Sequence, residues 1–333
     1  MLSRRLASVA AAALTLAVVS PALSVLNAAP AQAATKSASG GSTSPAYAKD
    51  FPDPAVLAVG TIYYAYSTGS AGRNLQVMSS PDMQNWTAPV DPLPVLPTWA
   101  SGGNTWAPAV MQSGPGFVMY YTVRDSALGR QCISVASSST AIGPFTDGSS
   151  GPLVCDTNGS IDPSVLAAGS SLYLVWKSDD NSVGLPTRLW SRPLAPGGMA
   201  MSPGTSPALL LTASASWQAS VIEGPSMVAV PKSSKFDLFY GANAWDSTSA
   251  GIGYAVCAGP SGPCTNQSTL RPWMRTNSAI NKNGPAGPGV FVDASGRTRL
   301  AYHAWGQNVG YPQGQRMLWI DSLSFSGSTP SIP

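Results

Sequence analysis

The chain carries the stretch Pro52-Asp53-Pro54-Ala55-Val56, and two later stretches resemble it, Ile161-Asp162-Pro163-Ser164-Val165 and Glu223-Gly224-Pro225-Ser226-Met227. Each stretch places one carboxylate beside a proline-containing turn and just before an apolar run that is typical of a β-strand. Three carboxylates at the same place in three repeats converge on one axis if the repeats are arranged in a ring. These stretches therefore indicate a repeating fold and one place where its acidic side chains meet.

Two further stretches extend the repeat, Trp106-Ala107-Pro108-Ala109-Val110 and Gly287-Pro288-Gly289-Val290-Phe291. Each of the five units continues through a turn into an aromatic-rich second strand, such as Ile62-Tyr63-Tyr64-Ala65-Tyr66, and then into more strand-like sequence. A unit of this kind fills one four-stranded antiparallel sheet, and five such sheets form a five-bladed β-propeller. We predict this all-β fold, in one domain, for residues 49–327; an unspecific β-sandwich or barrel is the alternative.

The first residues have the features of an export signal. Arg4 and Arg5 precede an apolar core from Leu6 to Val19, and Ala31-Gln32-Ala33 forms a cleavage site. Because this apolar run is shorter than the roughly 20 residues that span a bilayer, we expect a secreted, extracellular protein rather than a membrane anchor. The predicted boundaries are a signal peptide at 1–33, a flexible leader at 34–48, the propeller at 49–327 and a C-terminal tail at 328–333.

Composition limits the partners that this protein is expected to have. The chain has 333 residues, a net charge of +3 and only 10% charged residues. It lacks a cluster of lysines and arginines to hold phosphates, so nucleic acid is not an expected partner. Ten Trp and eleven Tyr suit stacking on sugar rings, although most aromatic side chains of a domain belong to its core. We expect a monomer that acts on a polysaccharide or oligosaccharide, with no nucleic acid or membrane partner.

The four cysteines are an even number, which fits two disulfides in an exported protein. The local pairing, Cys132–Cys155 and Cys257–Cys264, is the simplest of about three possible connectivities. Metal binding by these cysteines is not expected, because no C-x-x-C spacing occurs and His303 is the single histidine of the chain.

Three converging carboxylates suit the hydrolysis of a glycosidic bond. One group protonates the leaving oxygen while a second activates water on the opposite face of the sugar; in inverting enzymes the two carboxyls stand about 6.5–9.5 Å apart, a gap that non-adjacent blades can provide. A third carboxylate raises the pKa of the acid. Aspartate before proline also has a plainer interpretation as a turn residue, but the repeated placement of Asp53, Asp162 and Glu223 favours the catalytic one. Asp50 and Asp179 open no repeat, and we predict them to be turn or surface residues.

Five motifs resemble those of glycoside hydrolase family 43 and follow the family's order. They are Phe51-Pro52-Asp53-Pro54, Trp106-Ala107-Pro108, Ile161-Asp162-Pro163-Ser164, Glu223-Gly224-Pro225 and Tyr302-His303-Ala304-Trp305. The resemblance covers nearly all of the chain after the signal. It implies a five-bladed propeller and inverting, single-displacement hydrolysis of α-L-arabinofuranosyl or β-D-xylosyl linkages, or of galactan in a few members.

The resemblance also implies roles for individual residues. Asp53 matches the general base, Glu223 the general acid, and Asp162 the residue that tunes the pKa of the acid and holds it. His303 matches a histidine at the channel centre that helps to hold a structural Ca²⁺ ion, mainly through waters, and no other cofactor is implied. On composition alone, His303 would instead be a hydrogen-bonded histidine within a strand.

Two aromatic residues are candidates for sugar contact. Trp106 stands where three other units carry acids, so its ring is expected to face the same funnel and to stack on a sugar. A packed inter-blade tryptophan is the alternative for Trp106. Phe51, two residues before Asp53, is a weaker candidate for the same role.

The predicted function is that of a secreted inverting glycoside hydrolase that cleaves arabinofuranosyl linkages in arabinose-containing plant or cell-wall polysaccharides or their oligomers. A β-xylosidase or xylan-debranching enzyme is the closest alternative, and a non-catalytic glycan-binding propeller is the alternative of another class. A retaining enzyme for fructan or sucrose is disfavoured, because the chain has Pro52-Asp53-Pro54-Ala55 and Glu223-Gly224 where such enzymes carry Asn-Asp-Pro-Asn and Glu-Cys.

Overall fold

Antiparallel strands make up nearly all the regular structure of residues 40–333, the part of the chain that the computed structural model describes. The predicted signal peptide at 1–33 lies outside the described residues. Three short 3₁₀ helices interrupt the strands of this part, at Asp180–Val183, Ser216–Gln218 and Ser278–Ile280. Within residues 40–333 no helix has the length and apolar character needed to cross a bilayer.

The strands of residues 40–333 form six antiparallel sheets, each built from consecutive segments of the chain; five are blades, which confirms the predicted five-bladed β-propeller, and the sixth is a two-stranded hairpin. Blades III and IV have the four strands that the repeat predicts, whereas blades I, II and V have three. Blade I contains β1 (Ala55–Val59), β2 (Ile62–Thr68) and β3 (Leu75–Ser80), and blade II contains β4 (Ala100–Ser113), β5 (Gly116–Asp125) and β6 (Arg130–Ser138). Blade III contains β7 (Ser160–Ala168), β8 (Ser171–Ser178), β9 (Arg188–Leu194) and β10 (Ala208–Thr212). Blade IV contains β11 (Ile222–Ala229), β12 (Phe236–Ala242), β13 (Gly251–Cys257) and β14 (Cys264–Asn266). Blade V contains β15 (Asn283–Val292), β16 (Thr298–Trp305) and β17 (Arg316–Ser322), and the hairpin of β18 (Ser324–Ser326) and β19 (Thr329–Ser331) follows it.

The five innermost strands form a closed circle. Going round the ring, β1 contacts β4, β4 contacts β7, β7 contacts β11, β11 contacts β15, and β15 contacts β1. At the axis this circle leaves a narrow channel of about 110 Å³, lined by prolines and small side chains of the same strands. The start of each inner strand therefore faces the other blades, which is the placement that the repeat predicts for the acidic residues.

Side chains of the second strands alternate between two cores, because another blade packs on each face of a sheet. In β12, Leu238 and Tyr240 pack against blade III, whereas Phe239 packs against blade V. All three side chains are fully buried. Burial on both faces explains why these strands are nearly continuous apolar runs in the sequence.

The two disulfides have the predicted local pairing. Cys132–Cys155 joins β6 to the segment that pairs along its outer edge, with Cα atoms 4.6 Å apart. Cys257–Cys264 joins β13 to β14, with Cα atoms 3.9 Å apart. Among the described residues no cysteine is left free. Both bridges stabilise the outer edge of one blade rather than the contact between two blades.

The segment before the first blade closes the ring by pairing with the last blade. Ala46 N–H donates to Leu318 O at 2.8 Å, and Leu318 N–H donates to Tyr47 O at 3.1 Å, so this segment lies beside β17 as its outer neighbour. Ser42 N–H donates to Asp321 Oδ1 at 2.5 Å. The prediction of a flexible leader is therefore wrong for residues 40–48. Main-chain groups pair whatever the side chains are, so a Ser- and Gly-rich composition did not reveal this strand-like segment.

The last residues also belong to the folded domain. β19 pairs with β18, Ile332 is buried, and the Trp273 indole N–H donates to Pro330 O at 3.2 Å. The prediction of a C-terminal tail at 328–333 is therefore wrong, because a domain boundary at residue 327 would divide the β18–β19 hairpin.

Removal of residues 40–48 tests the ring closure. A protein that begins at Lys49 loses the hydrogen bonds of Ser42, Ala46 and Tyr47 to blade V. At about 1 kcal/mol for each of about three bonds, we expect the Tm measured by calorimetry to fall by about 6 to 12 °C. A matched protein that begins at Gly40 should keep the Tm of the longer protein. Equal melting of the two truncated proteins would contradict this account of the closure.

One carboxylate lies in the core of blade IV without a partner. Asp237 on β12 is fully buried, and neither of its side-chain oxygens has a hydrogen-bond partner within residues 40–333. Burial raises the pKa of Asp237 to about 7, because the interior disfavours an unpaired charge. The folded protein therefore holds this carboxyl in its protonated form at acidic pH.

Asp237 should make the protein less stable as the pH rises. The folded pKa is raised above the unfolded value of about 4, so the stability from Asp237 is complete below pH of about 4 and is lost as the pH rises through about 7, a total of about 4 kcal/mol. We expect the Asp237→Asn variant to melt above the wild type at pH 8 and to have no such advantage at pH 4. The exposed Asp246→Asn change is the control and should follow the wild type. The same pH dependence in all three proteins would show that Asp237 does not titrate in this way.

Candidate active site

Each inner strand carries a residue in the left-handed backbone conformation that is directly followed by proline; it lies within the strand in blades II to V and two residues before the strand in blade I. These residues are Asp53, Ala107, Asp162, Gly224 and Gly287, with φ angles between 44° and 59°. Next to them, the pairing with the second strand shifts its register in blades II to V, as it does at a β-bulge. Bulges re-aim side chains, and aspartate and glycine tolerate this conformation better than most residues. We call this feature the inner-strand bend. The five repeated stretches of the sequence, from Pro52-Asp53-Pro54 to Gly287-Pro288-Gly289, each contain one copy of it.

The position of the inner-strand bend shows that the predicted alignment of the repeats is wrong by one residue in two of the blades. Asp53 and Asp162 occupy the left-handed position, whereas Glu223 and Trp106 stand one residue before it. The sequence pattern aligns all four at one position, which is wrong for Glu223 and Trp106, because the backbone conformation marks the bend and the residue type does not. Both positions nevertheless reach the same cavity.

The structure brings the three predicted carboxylates together. Asp53, Asp162 and Glu223 line one open cavity of about 640 Å³ on the axis of the ring. Trp106 and His303 line the same cavity. The cavity is large enough for several sugar units, which suits an oligomeric or polymeric ligand.

Phe51 does not reach the cavity. Its ring is fully buried in the core between blades I and V, where it meets the Tyr47 ring edge-on with centroids 5.9 Å apart. The prediction that Phe51 contacts substrate is wrong, because the bend at Asp53 turns neighbouring side chains to different sides of the strand.

The surroundings of Asp53 hold it as an ionised carboxylate. The Thr68 hydroxyl donates to Asp53 Oδ2 at 2.6 Å, and Arg316 Nη1 donates to Oδ1 at 3.3 Å. Burial alone would raise the pKa of Asp53, but the positive charge of Arg316 and the Thr68 hydrogen bond outweigh it, so the pKa lies below its ordinary value. An ionised carboxylate on the wall of an open cavity is suited to accept a proton from water.

Asp162 and Glu223 form a second acidic group, on blades III and IV. Asp162 Oδ2 accepts the Gly224 N–H at 2.9 Å, which joins the two blades next to Glu223. Burial, together with the charges of Glu223 and Asp53, raises the pKa of Asp162 to about 7 against the opposing charge of Lys177. Asp162 therefore keeps its proton up to about pH 7.

Four charged residues of the cavity escaped the sequence prediction: Asp50, Lys177, Asp179 and Arg316. Asp179 Oδ1 lies 3.7 Å from Lys177 Nζ. Asp50 Oδ1 accepts the Arg316 N–H at 3.0 Å. The interpretation of Asp50 and Asp179 as turn or surface residues is therefore wrong. The sequence did hold a clue to Lys177 and Arg316, because each is a basic residue at the end of an otherwise apolar strand.

An aromatic group surrounds Arg316 at the mouth of the cavity. Its guanidinium carbon lies 5.1 Å from the Trp245 ring centroid and 5.6 Å from that of Tyr311. Trp245 is 41% exposed and Tyr311 is 45% exposed, and both line the cavity, so their faces are available to a ligand. Composition could not single them out, because most of the other aromatic side chains belong to the core.

His303 is a neutral side chain that contacts the bend of blade I. Burial and the charge of Arg316 lower the pKa of His303 to about 3. Asp53 N–H donates to His303 Nδ1 at 3.0 Å. Gly287 leaves room for the imidazole, since a Cβ at this residue would lie 2.7 Å from Nδ1.

The predicted Ca²⁺ ion can be tested against the atoms around His303. Its Nε2 is buried and has no hydrogen-bond partner within residues 40–333, as expected of an atom that meets a cation or a water. Because Nδ1 accepts the Asp53 N–H, the neutral ring carries its proton on Nε2, so Nε2 would meet a cation through a bridging water. No three acidic, His or Cys side chains of the described part are grouped as metal ligands, so waters would complete the coordination. The ion would supply structural charge compensation, and calcium binding stays a prediction.

Comparison with known proteins agrees with this geometry. A probable arabinan endo-1,5-α-L-arabinosidase A of Aspergillus flavus is 26% identical over 306 residues, which cover 84% of this chain and 90% of that protein. The solved structure of a thermostable family-43 glycoside hydrolase is similar with a TM-score of 0.76 at 24% identity, covering 90% of this chain and 96% of that one. An endo-1,4-β-xylanase from Bacteroides thetaiotaomicron has a TM-score of 0.71 at 26% identity, covering 88% of this chain and 97% of that one.

The family assignment rests on almost the whole described chain. The family model for Glycosyl hydrolases family 43 matches residues 42–330, a range that includes all five blades. All five motifs therefore lie within the range that the family model matches. The chain belongs to glycoside hydrolase family 43 and is a glycosidase that hydrolyses O-glycosyl compounds.

Proposed function

We propose that this protein is a secreted, inverting glycoside hydrolase that cleaves arabinofuranosyl linkages in arabinan or its oligomers. One observation carries the proposal: a single cavity holds an ionised carboxylate on blade I, Asp53, and a carboxyl group with a raised pKa on blade III, Asp162, which lies beside Glu223 of blade IV. Acid and base catalysis requires titratable groups whose surroundings push their pKa values apart. The likeness to an arabinan endo-1,5-α-L-arabinosidase supports arabinan as the substrate.

In the proposed mechanism, Asp53 is the general base. It takes a proton from a water molecule, while Thr68 and Arg316 hold its two carboxylate oxygens. The water oxygen forms a bond to the anomeric carbon, and the bond from that carbon to the leaving oxygen breaks on the opposite face of the sugar. Because attack and departure occur in one step on opposite faces, the configuration of the anomeric carbon is inverted.

Glu223 is the general acid of this mechanism. It gives its proton to the leaving oxygen, so the second sugar departs as a neutral alcohol. Asp162 is the neighbouring group that tunes this acid and holds it, since its bond to Gly224 N–H keeps the two carboxyl groups close. The cycle ends when Asp53 passes its proton to solvent and the acid pair takes one up.

Three aromatic side chains offer faces for sugar rings in this cavity. Trp106 is half-buried on blade II, while Trp245 and Tyr311 lie on the opposite side, around Arg316. Large aromatic surfaces with few polar groups between them are typical of carbohydrate and other small-molecule sites. We propose that these residues hold the chain of sugars across the carboxylates.

Xylan is the second candidate substrate. The endo-1,4-β-xylanase from Bacteroides thetaiotaomicron has a similar structure at 26% identity, which favours a β-xylosidase or xylan-debranching activity as the alternative. Turnover of arabinan and xylan by the purified protein separates the two. A non-catalytic glycan-binding propeller is disfavoured, because sugar binding does not need a base and an acid with separated pKa values.

Export is part of the same proposal. The basic and apolar residues before Ala34 have the order of a signal peptide. The two disulfides support it, because such bonds persist in oxidising compartments outside the cytosol.

Substitution of the base and the acid tests the proposed function. We expect Asp53→Ala and Glu223→Ala to lower kcat/KM on arabinan by about 10²- to 10⁴-fold, since each removes one proton transfer. The measurement is the release of reducing ends, with the configuration of the first product followed by NMR. The exposed Asp246→Asn change serves as the control and should keep the wild-type rate. Wild-type rates in both alanine variants, or a product with retained configuration, would overturn the proposal.

The pH profile tests the pairing of Asp162 with Glu223. In the wild type, activity should fall on the alkaline side of the profile, as the acid Glu223 loses its proton. Asp162→Asn removes the negative charge that holds this proton, so we expect the alkaline limb of kcat/KM to move down by about one pH unit. Both profiles are measured on the same arabino-oligosaccharide. An alkaline limb that stays in place would exclude this role for Asp162.

A further inference from the structure

A position on the second strand of every blade lies opposite the inner-strand bend. The strand pairing puts Thr122 opposite Trp106, Lys177 opposite Ile161, and Gly241 opposite Glu223. In blade V the pairing puts His303 opposite Ala286, and in blade I Thr68 N–H donates to Pro52 O. We call this position the acceptor position; its occupants are Thr68, Thr122, Lys177, Gly241 and His303.

At three blade junctions, the side chain at the acceptor position accepts the main-chain N–H of the bend in the next blade. His303 Nδ1 accepts Asp53 N–H at 3.0 Å. Thr68 Oγ1 accepts Ala107 N–H at 2.9 Å. Thr122 Oγ1 accepts Asp162 N–H at 3.0 Å. A buried main-chain N–H requires such a partner, so this contact joins one blade to the next.

Lys177 breaks this pattern at the junction of blades III and IV. A charged lysine has three N–H donors and no acceptor, so it cannot take the N–H of Gly224. Asp162 Oδ2 accepts that N–H instead, at 2.9 Å. The lysine is thereby left to contact Glu223, whose Oε2 lies 3.3 Å from Lys177 Nζ.

The charged groups around Glu223 lie on several neighbouring elements. Lys177 contacts Glu223 from β8, and Asp162 acts on it from β7. Asp179, in the segment after β8, lies 3.7 Å from Lys177 Nζ and acts on the lysine. Asp53 lies across the axis on blade I and acts on Asp162. Lys177 is only 1% exposed, so its charge is poorly screened by solvent. It is the one cation in direct ion-pair contact with Glu223 among the described residues.

We propose that Lys177 is a positioning residue for the acid: it holds Glu223 in place and limits how tightly the Glu223–Asp162 pair keeps its proton. This inference rests on the proposed role of Glu223 as the general acid. Without the cation, the neighbouring carboxylates would bind the shared proton more tightly and release it less readily to a leaving oxygen. The lysine therefore offsets the negative charge of the carboxylates around the same acid.

The test uses the full secreted chain and compares Lys177→Met and Lys177→Arg with the wild type. The substrates are two aryl arabino-oligosaccharides, with a 4-nitrophenyl or a phenyl leaving group. Loss of the charge in Lys177→Met should move the alkaline limb of kcat/KM up by about 1 to 3 pH units. It should also slow the phenyl substrate more than the 4-nitrophenyl one, because a poor leaving group depends more on the acid. Lys177→Arg keeps the charge and should keep the limb close to the wild-type position.

Lys282→Met provides the matched control. Lys282 is also buried, donates from Nζ to the Tyr302 hydroxyl at 3.0 Å, and does not line the cavity. Its loss should lower the Tm and leave both the pH limb and the ratio of the two substrates unchanged. If Lys177→Met does not fold, Lys177→Gln removes the same charge and carries the same expectation.

The experiment separates failure of the Lys177 proposal from failure of the proposed acid, Glu223. A folded Lys177→Met or Lys177→Gln variant with a wild-type limb and a wild-type substrate ratio would overturn the role of Lys177. If Glu223→Gln keeps the wild-type rate on the phenyl substrate, the proposed acid itself is wrong. Loss of activity in Glu223→Gln together with a shifted limb in the lysine variant supports both.

Discussion

The inner-strand bend is the constraint on which this structure depends. Each inner strand enters its blade through a left-handed residue before proline, and at three junctions the main-chain N–H of that residue is bound by a side chain of the preceding blade. Proline fixes the backbone after the bend and offers no N–H of its own. One local feature therefore joins blades and directs acidic side chains to the axis, so the packing of the ring and the assembly of the site are a single event.

The cavity separates two electrostatic environments on opposite sides of the axis. On one side, Arg316 and the Thr68 hydroxyl favour the charged form of Asp53. On the other, Asp162 and Glu223 lie together, and one lysine does not neutralise both of them. The same residue type thus has a lowered pKa at one place and a raised pKa at another, because charges and hydrogen bonds compete with burial in both. This contrast is the physical basis for a base and an acid in one site.

Ring closure and the site share the same segment of chain. Residues 46 and 47 pair with Leu318 on β17, and a few residues later the chain reaches Asp53. Phe51 N–H donates to Arg316 O at 2.8 Å, and Asp50 accepts the Arg316 N–H. Arg316 begins β17 and contacts Asp53 through its side chain. The strand that closes the propeller therefore also holds the cation that keeps Asp53 ionised, which links the stability of the ring to the chemistry of the cavity.

The order of residues predicted the five-bladed fold, the meeting of the three carboxylates and the two disulfides, because these rest on a repeated local motif and on cysteines only 23 and 7 residues apart. Three features became visible in the folded chain alone: Glu223 stands one residue before the bend, Phe51 is buried, and Lys177 and Arg316 enter the cavity. Those features depend on a backbone conformation that several residue types can adopt. They also depend on neighbours that other blades contribute, which the order of residues along one strand does not specify.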